Sequence, residues 1–149
     1  MDNRIKLYFK PQDFVCQDVW RTHGERSWKF FDPRLIDNMA FIRLGIGKPI
    51  TVNTWNIGGL YSQRGLRCNL CSLVAGKTKS GALYVSAHSQ GMAADFDVKD
   101  MSAEEVRKWI GQHAASLPHP CRLETGTSWV HMDVRVDPAK TERVQYFKG

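Results

Sequence analysis

The stretch Ser86-Ala-His-Ser-Gln-Gly-Met-Ala-Ala-Asp95 decides the fold that we predict for this chain, because a tight turn here runs into a strand. Residues 93–98 alternate polar and apolar side chains, which predicts a strand with Asp95 on its polar face. Gly91 precedes this strand and permits a sharp reversal of the backbone. The turn is therefore expected to bring His88 back towards Asp95.

A second strand downstream carries a further histidine. Residues 128–136 alternate, so that His131 and Asp133 share one face and apolar side chains occupy the other. Residues 121–125 precede it, and the Gly126-Thr127 turn predicts that the two segments pair as a hairpin.

His88, Asp95 and His131 together form a ligand set that is typical of a catalytic zinc site, which keeps its fourth position open for water. The residues alone leave an alternative open. A single histidine on a strand is commonly a hydrogen-bonded polar residue, and Asp133 would then be its ordinary ion-pair partner.

The composition indicates one globular domain spanning residues 1–149, with 42% hydrophobic residues and a net charge of +6. A basic protein suits an acidic partner, but the positive residues are dispersed and no nucleic-acid-binding motif stands out, so no nucleic acid is expected. We find no signal peptide and no stretch of membrane-spanning length. The chain is therefore expected to be synthesised in the cytoplasm, and to be a monomer.

Four cysteines are present, and Cys68 and Cys71 have the CxxC spacing. A structural zinc site needs further ligands, and Cys16 and Cys121 lie far away in the sequence. A redox role is open, but no βαβ pattern surrounds the pair. We interpret the cysteines as buried or unreactive thiols.

The predicted fold class is α+β, with a small antiparallel sheet that carries the metal site and helices on one side. Asp32-Pro33 predicts the start of a helix that ends at Gly45 or Gly47, and the capping box Ser102-Ala-Glu-Glu105 predicts a helix to about Ala115. The remaining predictions are a strand or arm at 4–9, a helical turn at 11–16, a loop at 20–31, a strand at 49–55, a short helix at 70–74, a turn at 76–81 and frayed final residues.

Ser86-x-His88-x-x-Gly91-x-Ala93-x-Asp95, followed by Trp129-x-His131, resembles the M15 zinc peptidases. These include D-alanyl-D-alanine carboxypeptidases and L-alanyl-D-glutamate endolysins, and they share a metal core with hedgehog signalling domains. The resemblance covers most of the chain. Its other segments, similar to the M15-3 branch, are Phe14 with Cys16, Asp32-Pro-Arg-Leu-Ile36, Gly47-Lys-Pro-Ile-Thr-Val-Asn53 and Gly65-Leu-Arg-Cys-Asn69.

The resemblance implies that His88, Asp95 and His131 bind Zn²⁺. It also implies that Arg67, in the Gly-Leu-Arg pattern, steadies the substrate carbonyl or the developing oxyanion, since a fixed cation near growing negative charge lowers the barrier. The alternative for Arg67 is a structural or surface role, and Arg64 is its nearest competitor.

The residue at the usual position of the general base departs from the family pattern. Many relatives have Asp, Glu or His three residues before the last zinc ligand, where this chain has Ser128, and serine cannot act as a base at neutral pH. We predict that Glu124 returns across the hairpin to move the proton. Asp133 is the second choice, although orienting a ligand histidine is the role that we favour for it. Ser86 is expected to support His88.

The function implied is zinc-dependent hydrolysis of an amide bond in peptidoglycan stem peptides, by a carboxypeptidase or an endopeptidase. Such an enzyme suits phage or prophage lysis, and it would act on the cell wall after release by a separate membrane-permeabilising protein. Trp55, Tyr84 and Trp129 are candidate walls of the cleft. The alternative is a non-catalytic module that keeps the metal for stability and binds the wall or a partner.

Overall fold

The computed structural model describes residues 3–149, which form an α+β fold with four α-helices and a five-stranded sheet. The strands are β1 (Ile50–Thr51), β2 (Ala93–Val98), β3 (Cys121–Thr125), β4 (Val130–Asp133) and β5 (Val144–Lys148). The helices are α1 (Gln17–His23), α2 (Pro33–Ile46), α3 (Ser72–Lys79) and α4 (Ala103–Gln112). Short 3-10 segments occupy Asn3–Leu7, Pro11–Asp13, Gly24–Phe30, Trp55–Ile57 and Ala114–Ser116.

The sheet has the strand order β1-β2-β4-β3-β5, and every neighbouring pair is antiparallel except β3 and β5, which run parallel. The α+β class and the hairpin of β3 with β4 are thus confirmed. The expectation of a purely antiparallel sheet is wrong, as is the expectation that the final residues fray. Val144 is buried, and the five residues of β5 pair along all of β3, so the last segment adds a strand to the sheet.

The helix predicted from Asp32-Pro33 is confirmed as α2. The Asp32 side chain accepts a hydrogen bond from the backbone N–H of Arg34 at 2.9 Å, and Pro33 occupies the first helical position. The helix ends at Ile46 and is capped by Gly47, whose φ of 73° lies in the left-handed region. Its apolar stripe faces the core, where four side chains are fully buried: Leu35, Ile36, Met39 and Ile42.

The capping box that was predicted to open α4 is also confirmed. Ser102 Oγ accepts from the backbone N–H of Glu105 at 3.2 Å, and the Glu105 carboxylate accepts from the backbone N–H of Ser102 at 2.7 Å. The α-helix ends at Gln112, earlier than the predicted Ala115, and a 3-10 turn at Ala114–Ser116 completes the segment.

The amino-terminal third differs most from the predictions. Residues 4–9 were expected to form a strand or arm, but Asn3–Leu7 is a 3-10 helix that buries Ile5. Residues 20–31 were expected to be a loop, yet α1 and the 3-10 segment Gly24–Phe30 cover most of that range. The aromatic side chains of this range pack into the core, where Trp28 and Phe31 contact Phe14.

Two other boundaries need correction. The strand predicted at 49–55 is reduced to Ile50–Thr51, because Trp55 begins a 3-10 turn and its indole N–H donates to the carbonyl of Val15 at 2.7 Å. The short helix expected at 70–74 and the turn expected from Gly76 become a single helix, α3, which ends at Lys79. The helical turn predicted at 11–16 is present as the shorter 3-10 segment Pro11–Asp13.

The two central strands bury one face and present the other to the candidate site. Phe96, Val130 and Met132 have no exposed surface and belong to the hydrophobic core. Asp95 and His131 alternate with them and lie on the opposite face, which is the arrangement that the alternation predicts. Across residues 3–149, every helix falls short of the length and apolar character that a membrane crossing requires.

Candidate metal centre

The pairing of β2 with β4 brings two of the predicted ligands together. Asp95 and His131 are Cα partners in this antiparallel pair, so their side chains project from the same face of the sheet. Oδ1 of Asp95 lies 2.7 Å from Nδ1 of His131. The Asp95 residue is buried, and the His131 side chain keeps only 12% exposure.

The loop before β2 supplies the third ligand. Gly91 has a φ of 67°, and a β-carbon there would collide with the carbonyl oxygen of Phe30, so both the turn and the close packing require glycine. The reversal points His88 inward, and Nε2 of His88 lies 3.3 Å from Nδ1 of His131 and 3.3 Å from Oδ2 of Asp95. One donor atom from each of the three residues lies within 4.8 Å of the others.

Hydrogen bonds outside this group fix which nitrogen of each histidine faces it. Nδ1 of His88 lies 2.8 Å from the carbonyl oxygen of Gly65 and must donate, because a carbonyl only accepts. Nε2 is therefore the nitrogen that faces the other two side chains. Nε2 of His131 lies 3.2 Å from Oδ2 of Asp133, which leaves Nδ1 directed at Asp95. Such partners outside the ligand set orient metal-binding histidines.

Asp133 is fully buried and is held by several donors. Arg122 donates two hydrogen bonds of 2.8 Å to its carboxylate, and the backbone N–H of Arg135 donates a third at 2.9 Å. With His131 as a further partner, this carboxylate is placed to orient the histidine. Among the hydrogen bonds of residues 3–149, the Ser86 hydroxyl accepts from the backbone N–H of Ser89 at 3.2 Å, and the His88 imidazole bonds to Gly65 and His131.

The close packing of charges shifts the pKa of three groups. Burial acts to raise the pKa of the Asp95 carboxyl, but hydrogen bonds from His131 and His88 outweigh burial and hold the pKa well below its usual range. Burial acts to lower the pKa of His131, yet hydrogen bonds to Asp133 and Asp95 raise it to about 9. For Asp133, burial is outweighed by hydrogen bonds from His131 and Arg122, which lower its pKa to about 2. The three groups thus form a charged network without a metal.

Arg67 reaches the same group of side chains. Its Nη2 donates to Oδ2 of Asp95 at 3.1 Å, its Nη1 to the Tyr84 hydroxyl at 2.9 Å, and its Nε to the carbonyl of Gln63 at 2.7 Å. The competitor Arg64 forms an ion pair with Asp97 instead. The guanidinium of Arg67 therefore contacts the carboxylate of a candidate ligand, whereas Arg64 touches Asp95 only through the backbone, where its carbonyl accepts from the Asp95 N–H at 2.7 Å.

Glu124 lies on β3 beside the site. The register of β3 with β4 pairs Arg122 with Asp133 and Leu123 with Met132, and Glu124, two residues after Arg122, lies by alternation on the same face as Arg122. On its other side Glu124 pairs with Phe147 of β5, and the Phe147 ring contacts His131 with 5.8 Å between centroids. The carboxylate packs directly against Gly149, where a β-carbon would collide with it.

A cleft of about 640 Å³ opens over Arg67 and Asp95. Ser128 and Trp129 line it, so Trp129 is a wall as predicted, whereas Tyr84 contacts Arg67 and Trp55 lies elsewhere. Most of the lining, which mixes apolar, polar and charged side chains, could not be predicted from the sequence. Its remaining members are Leu60, Tyr61, Ser62, Gln63, Arg64, Leu73 and Asp97.

A buried arginine, also not anticipated, holds the hairpin turn that forms one wall of the cleft. Arg107 of α4 is 4% exposed and donates to the carbonyls of Trp129 at 3.1 Å and Thr127 at 2.9 Å. Its Nε donates to Glu104 at 3.0 Å. The position of Ser128 and Trp129 is thereby tied to α4.

A second cluster of metal-binding side chains lies away from this centre. The sequence places Cys16 far from Cys68 and Cys71, but the fold brings their three sulfur atoms within 4.8 Å of one another. A parallel bridge between Val15 and Leu66 causes this approach. Cys121 is buried outside the cluster, and no local sequence signal indicates the meeting of Cys16 with the CxxC pair.

Comparisons of the chain with family models, curated proteins and solved structures found no match. The functional interpretation therefore rests on the geometry of the site and on the resemblance of its motifs.

Proposed function

We propose that this protein is a zinc-dependent hydrolase that cleaves an amide bond in the stem peptides of peptidoglycan. The observation that carries the proposal is the convergence of donor atoms from His88, Asp95 and His131 beside an open cleft. The resemblance to the M15 zinc peptidases supplies the substrate class and a hedgehog-like fold. The five-stranded α+β sheet is compatible with that fold type.

The donor set fits zinc in both chemistry and spacing. Two imidazoles and a carboxylate are a common set for catalytic zinc. A tetrahedral zinc with ligand bonds of about 2.0–2.1 Å sets its donor atoms about 3.3 Å apart. Nε2 of His88 lies 3.3 Å from both Nδ1 of His131 and Oδ2 of Asp95, so both separations that involve His88 match this edge length. The shorter contact of His131 with Asp95, at 2.7 Å, is a hydrogen bond that a metal would replace.

When bound, the ion would polarise the scissile carbonyl and lower the pKa of a water molecule at its open position. The protein itself orients the two ligand histidines. The Gly65 carbonyl holds His88 with Nε2 directed inward, and Asp133 holds His131 with Nδ1 directed inward. Little reorganisation is then needed when the metal binds.

Arg67 is the group that we assign to charge stabilisation. Its guanidinium is fixed by Tyr84 and the Gln63 carbonyl, and it lines the cleft next to Asp95. A cation held in this way can stabilise the negative charge that develops on the carbonyl oxygen of the substrate. Arg64 does not compete for this role, because Asp97 neutralises it.

Glu124 is the residue that we assign to proton transfer. It takes a proton from the attacking water and gives it to the leaving amine. Its place on β3, which pairs with the strand that carries His131, supports the assignment. Asp133 is less suited, because Arg122, Arg135 and His131 all donate to its buried carboxylate.

The cleft suits a short peptide with a carboxylate. Tyr61 and Trp129 offer apolar surfaces, and the guanidinium of Arg67 lies at the same cleft. The net charge of +6 favours an anionic wall polymer. The resemblance extends the proposal to a phage or prophage lysis enzyme that reaches the wall after release from the cytoplasm.

One observation favours a second function. Ser128, which lines the cleft, stands where many M15 peptidases have an acidic or imidazole base, and Arg67 already donates to Asp95. The metal would then stabilise a non-catalytic module that binds the wall or a partner protein.

Digestion of purified peptidoglycan separates the two functions. Zinc-loaded protein is incubated with intact sacculi, and the released fragments are identified by mass spectrometry. We expect loss of a terminal D-alanine or a cut within the stem peptide, and no product with His131→Ala. Binding to sacculi without any cleavage product would reject the hydrolase and support the binding module.

A further inference from the structure

We propose that Cys16, Cys68 and Cys71 form a second zinc site, which is structural. Sγ of Cys16 lies 3.5 Å from Sγ of Cys68, and Sγ of Cys68 lies 3.8 Å from Sγ of Cys71. Cys16 and Cys71 are buried, and Cys68 is half-buried. The inference does not depend on the hydrolase proposal, since it concerns different residues in a different part of the fold.

The backbone brings the three cysteines together without help from a metal. The N–H of Leu66 donates to the carbonyl of Phe14 at 2.8 Å, and Val15 forms a parallel bridge with Leu66. The two segments approach so closely that a β-carbon at Gly65 would collide with the Phe14 backbone. Cys16 is the next residue after Val15, and Cys68 lies two residues after Leu66.

A turn completes the arrangement on the other side. The N–H of Cys71 donates to the carbonyl of Cys68 at 3.1 Å, which places both CxxC sulfurs next to Cys16. Three sulfurs from two segments, 52 residues apart in sequence, thus share one small volume. A convergence of this kind is expected of a ligand set more than of isolated buried thiols.

The spacing of the sulfurs matches zinc. Zinc–sulfur bonds of about 2.3 Å in a tetrahedral site set neighbouring sulfurs about 3.8 Å apart. The observed 3.5 and 3.8 Å are close to that edge, and all three cysteines are free thiols in the structure. Binding of Zn²⁺ would release the three thiol protons and leave a zinc tristhiolate with one net negative charge.

The three sulfurs leave one position of a tetrahedral zinc ion for a further ligand. Among residues 3–149, no histidine, aspartate or glutamate donor joins the three sulfurs within their 4.8 Å group. A cleft of about 270 Å³ is lined by Cys16 and Cys71, together with the acidic residue Asp18 and the polar residues Gln17, Ser62 and Ser72. A water molecule can therefore complete the coordination.

A zinc ion bound to the three cysteines would fix residues 65–68, which contact His88 and Asp95 of the first metal centre. Gly65, whose carbonyl orients His88, and Arg67, which contacts Asp95, lie within three residues of Cys68. This segment has no helix or strand before α3. A metal that ties it to Cys16 would restrict its motion and so hold both residues in place.

Cobalt titration tests the proposal, because Co²⁺ replaces zinc and its absorption bands report thiolate ligands. Metal-free, fully reduced wild-type protein is titrated with Co²⁺, and thiolate-to-cobalt charge-transfer absorption is recorded. We expect this band to saturate at one equivalent in a His88→Ala, His131→Ala variant and within two equivalents in the wild type, where the first centre also takes up cobalt. Zn²⁺ should then remove the band by displacing the cobalt.

Matched cysteine variants identify the ligands. Cys68→Ser should lose the band, whereas Cys121→Ser, which changes a buried cysteine outside the cluster, should keep it. A wild-type protein with four free thiols and no charge-transfer band would overturn the proposal, and so would a band that survives Cys68→Ser. The wild-type spectrum decides the question even where a variant fails to fold, and X-ray absorption of the zinc form should then give sulfur at about 2.3 Å.

Discussion

Asp95 and His131 are Cα partners on neighbouring strands, and Oδ1 of Asp95 lies 2.7 Å from Nδ1 of His131. The separation of these two candidate ligands is therefore set by the hydrogen-bonded ladder of β2 and β4, and not by a mobile loop. A site built on paired strands holds its donors more accurately than one built on loops. Only His88 depends on a turn, and the Gly65 carbonyl fixes its ring.

The first prediction concerns the pH dependence of zinc binding. The pKa of His131 in the metal-free protein is raised to about 9, and zinc must displace the proton from Nδ1. Below that pH the proton competes with the metal, so affinity should rise about tenfold per pH unit from pH 7 to 9 and level off above. Competition titrations with a buffered chelator measure this dependence. An affinity that levels off near pH 7, as for an ordinary histidine with a pKa of about 6.5, would contradict the pairing of His131 with two carboxylates.

The second prediction concerns the carboxylate behind His131. Asp133→Asn keeps the shape of the side chain but removes the charge that accepts from Nε2 of His131. We expect zinc affinity at the His88 centre to fall about 10–100-fold, because partners of ligand histidines contribute effects of that size. Asp97→Asn is the matched control, since Asp97 also lines the cleft but pairs with Arg64. Equal losses in the two variants would indicate a general charge effect.

The third prediction concerns the turn that positions His88. Gly91→Ala should lower the free energy of unfolding by about 2–5 kcal/mol, from left-handed backbone strain and from collision with the Phe30 carbonyl. Gly58→Ala is the control, because Gly58 has a similar positive φ but nothing within 4 Å of its β-carbon position. It should lose only about 1–2 kcal/mol. Urea unfolding compares the two, and similar losses would mean that packing against Phe30 is unimportant.

The fourth prediction tests the role of Arg67. Arg67→Lys keeps the positive charge but cannot maintain the contacts with Gln63, Tyr84 and Asp95 together. We expect kcat on stem peptides to fall about 10²–10³-fold with zinc content unchanged. Arg64→Lys should have a much smaller effect on kcat, because its ion pair with Asp97 is retained. If Arg64→Lys lowered kcat more than Arg67→Lys, charge stabilisation would be assigned to Arg64.

The fifth prediction tests proton transfer by Glu124. Glu124→Gln should lower kcat about 10²–10⁴-fold while zinc binding stays at the wild-type level. The control is Glu142→Gln, which changes an exposed glutamate remote from the candidate ligands. Full hydrolysis by Glu124→Gln would refute its assignment as the base.

The elements that the sequence predicted well are those with local signals. Asp32 with Pro33, and Ser102 with Glu105, mark helix starts because their side chains satisfy backbone N–H groups at the helix end. The strand at 93–98 was predicted at its correct bounds, since its alternation matches burial on one face. The pairing of β5 with β3 was missed, because a parallel partner 23 residues away leaves no local pattern.

The candidate site likewise contains residues that the sequence predicted and contacts that it did not. Its donor residues could be named from residue types and from the motif resemblance, and the alternation correctly put Asp95 and His131 on polar faces. The Gly65 carbonyl behind His88 could not be predicted, because a backbone group has no side-chain signature. The approach of Cys16 to Cys68 depends on the bridge between Val15 and Leu66, which joins segments distant in sequence.

Anomalous diffraction at the zinc absorption edge, from a crystal grown with zinc, tests the central claim most directly. We predict a peak within about 2.0–2.2 Å of Nε2 of His88, the Asp95 carboxylate and Nδ1 of His131. A well-ordered crystal that contains zinc but shows no peak among these three side chains would contradict the account.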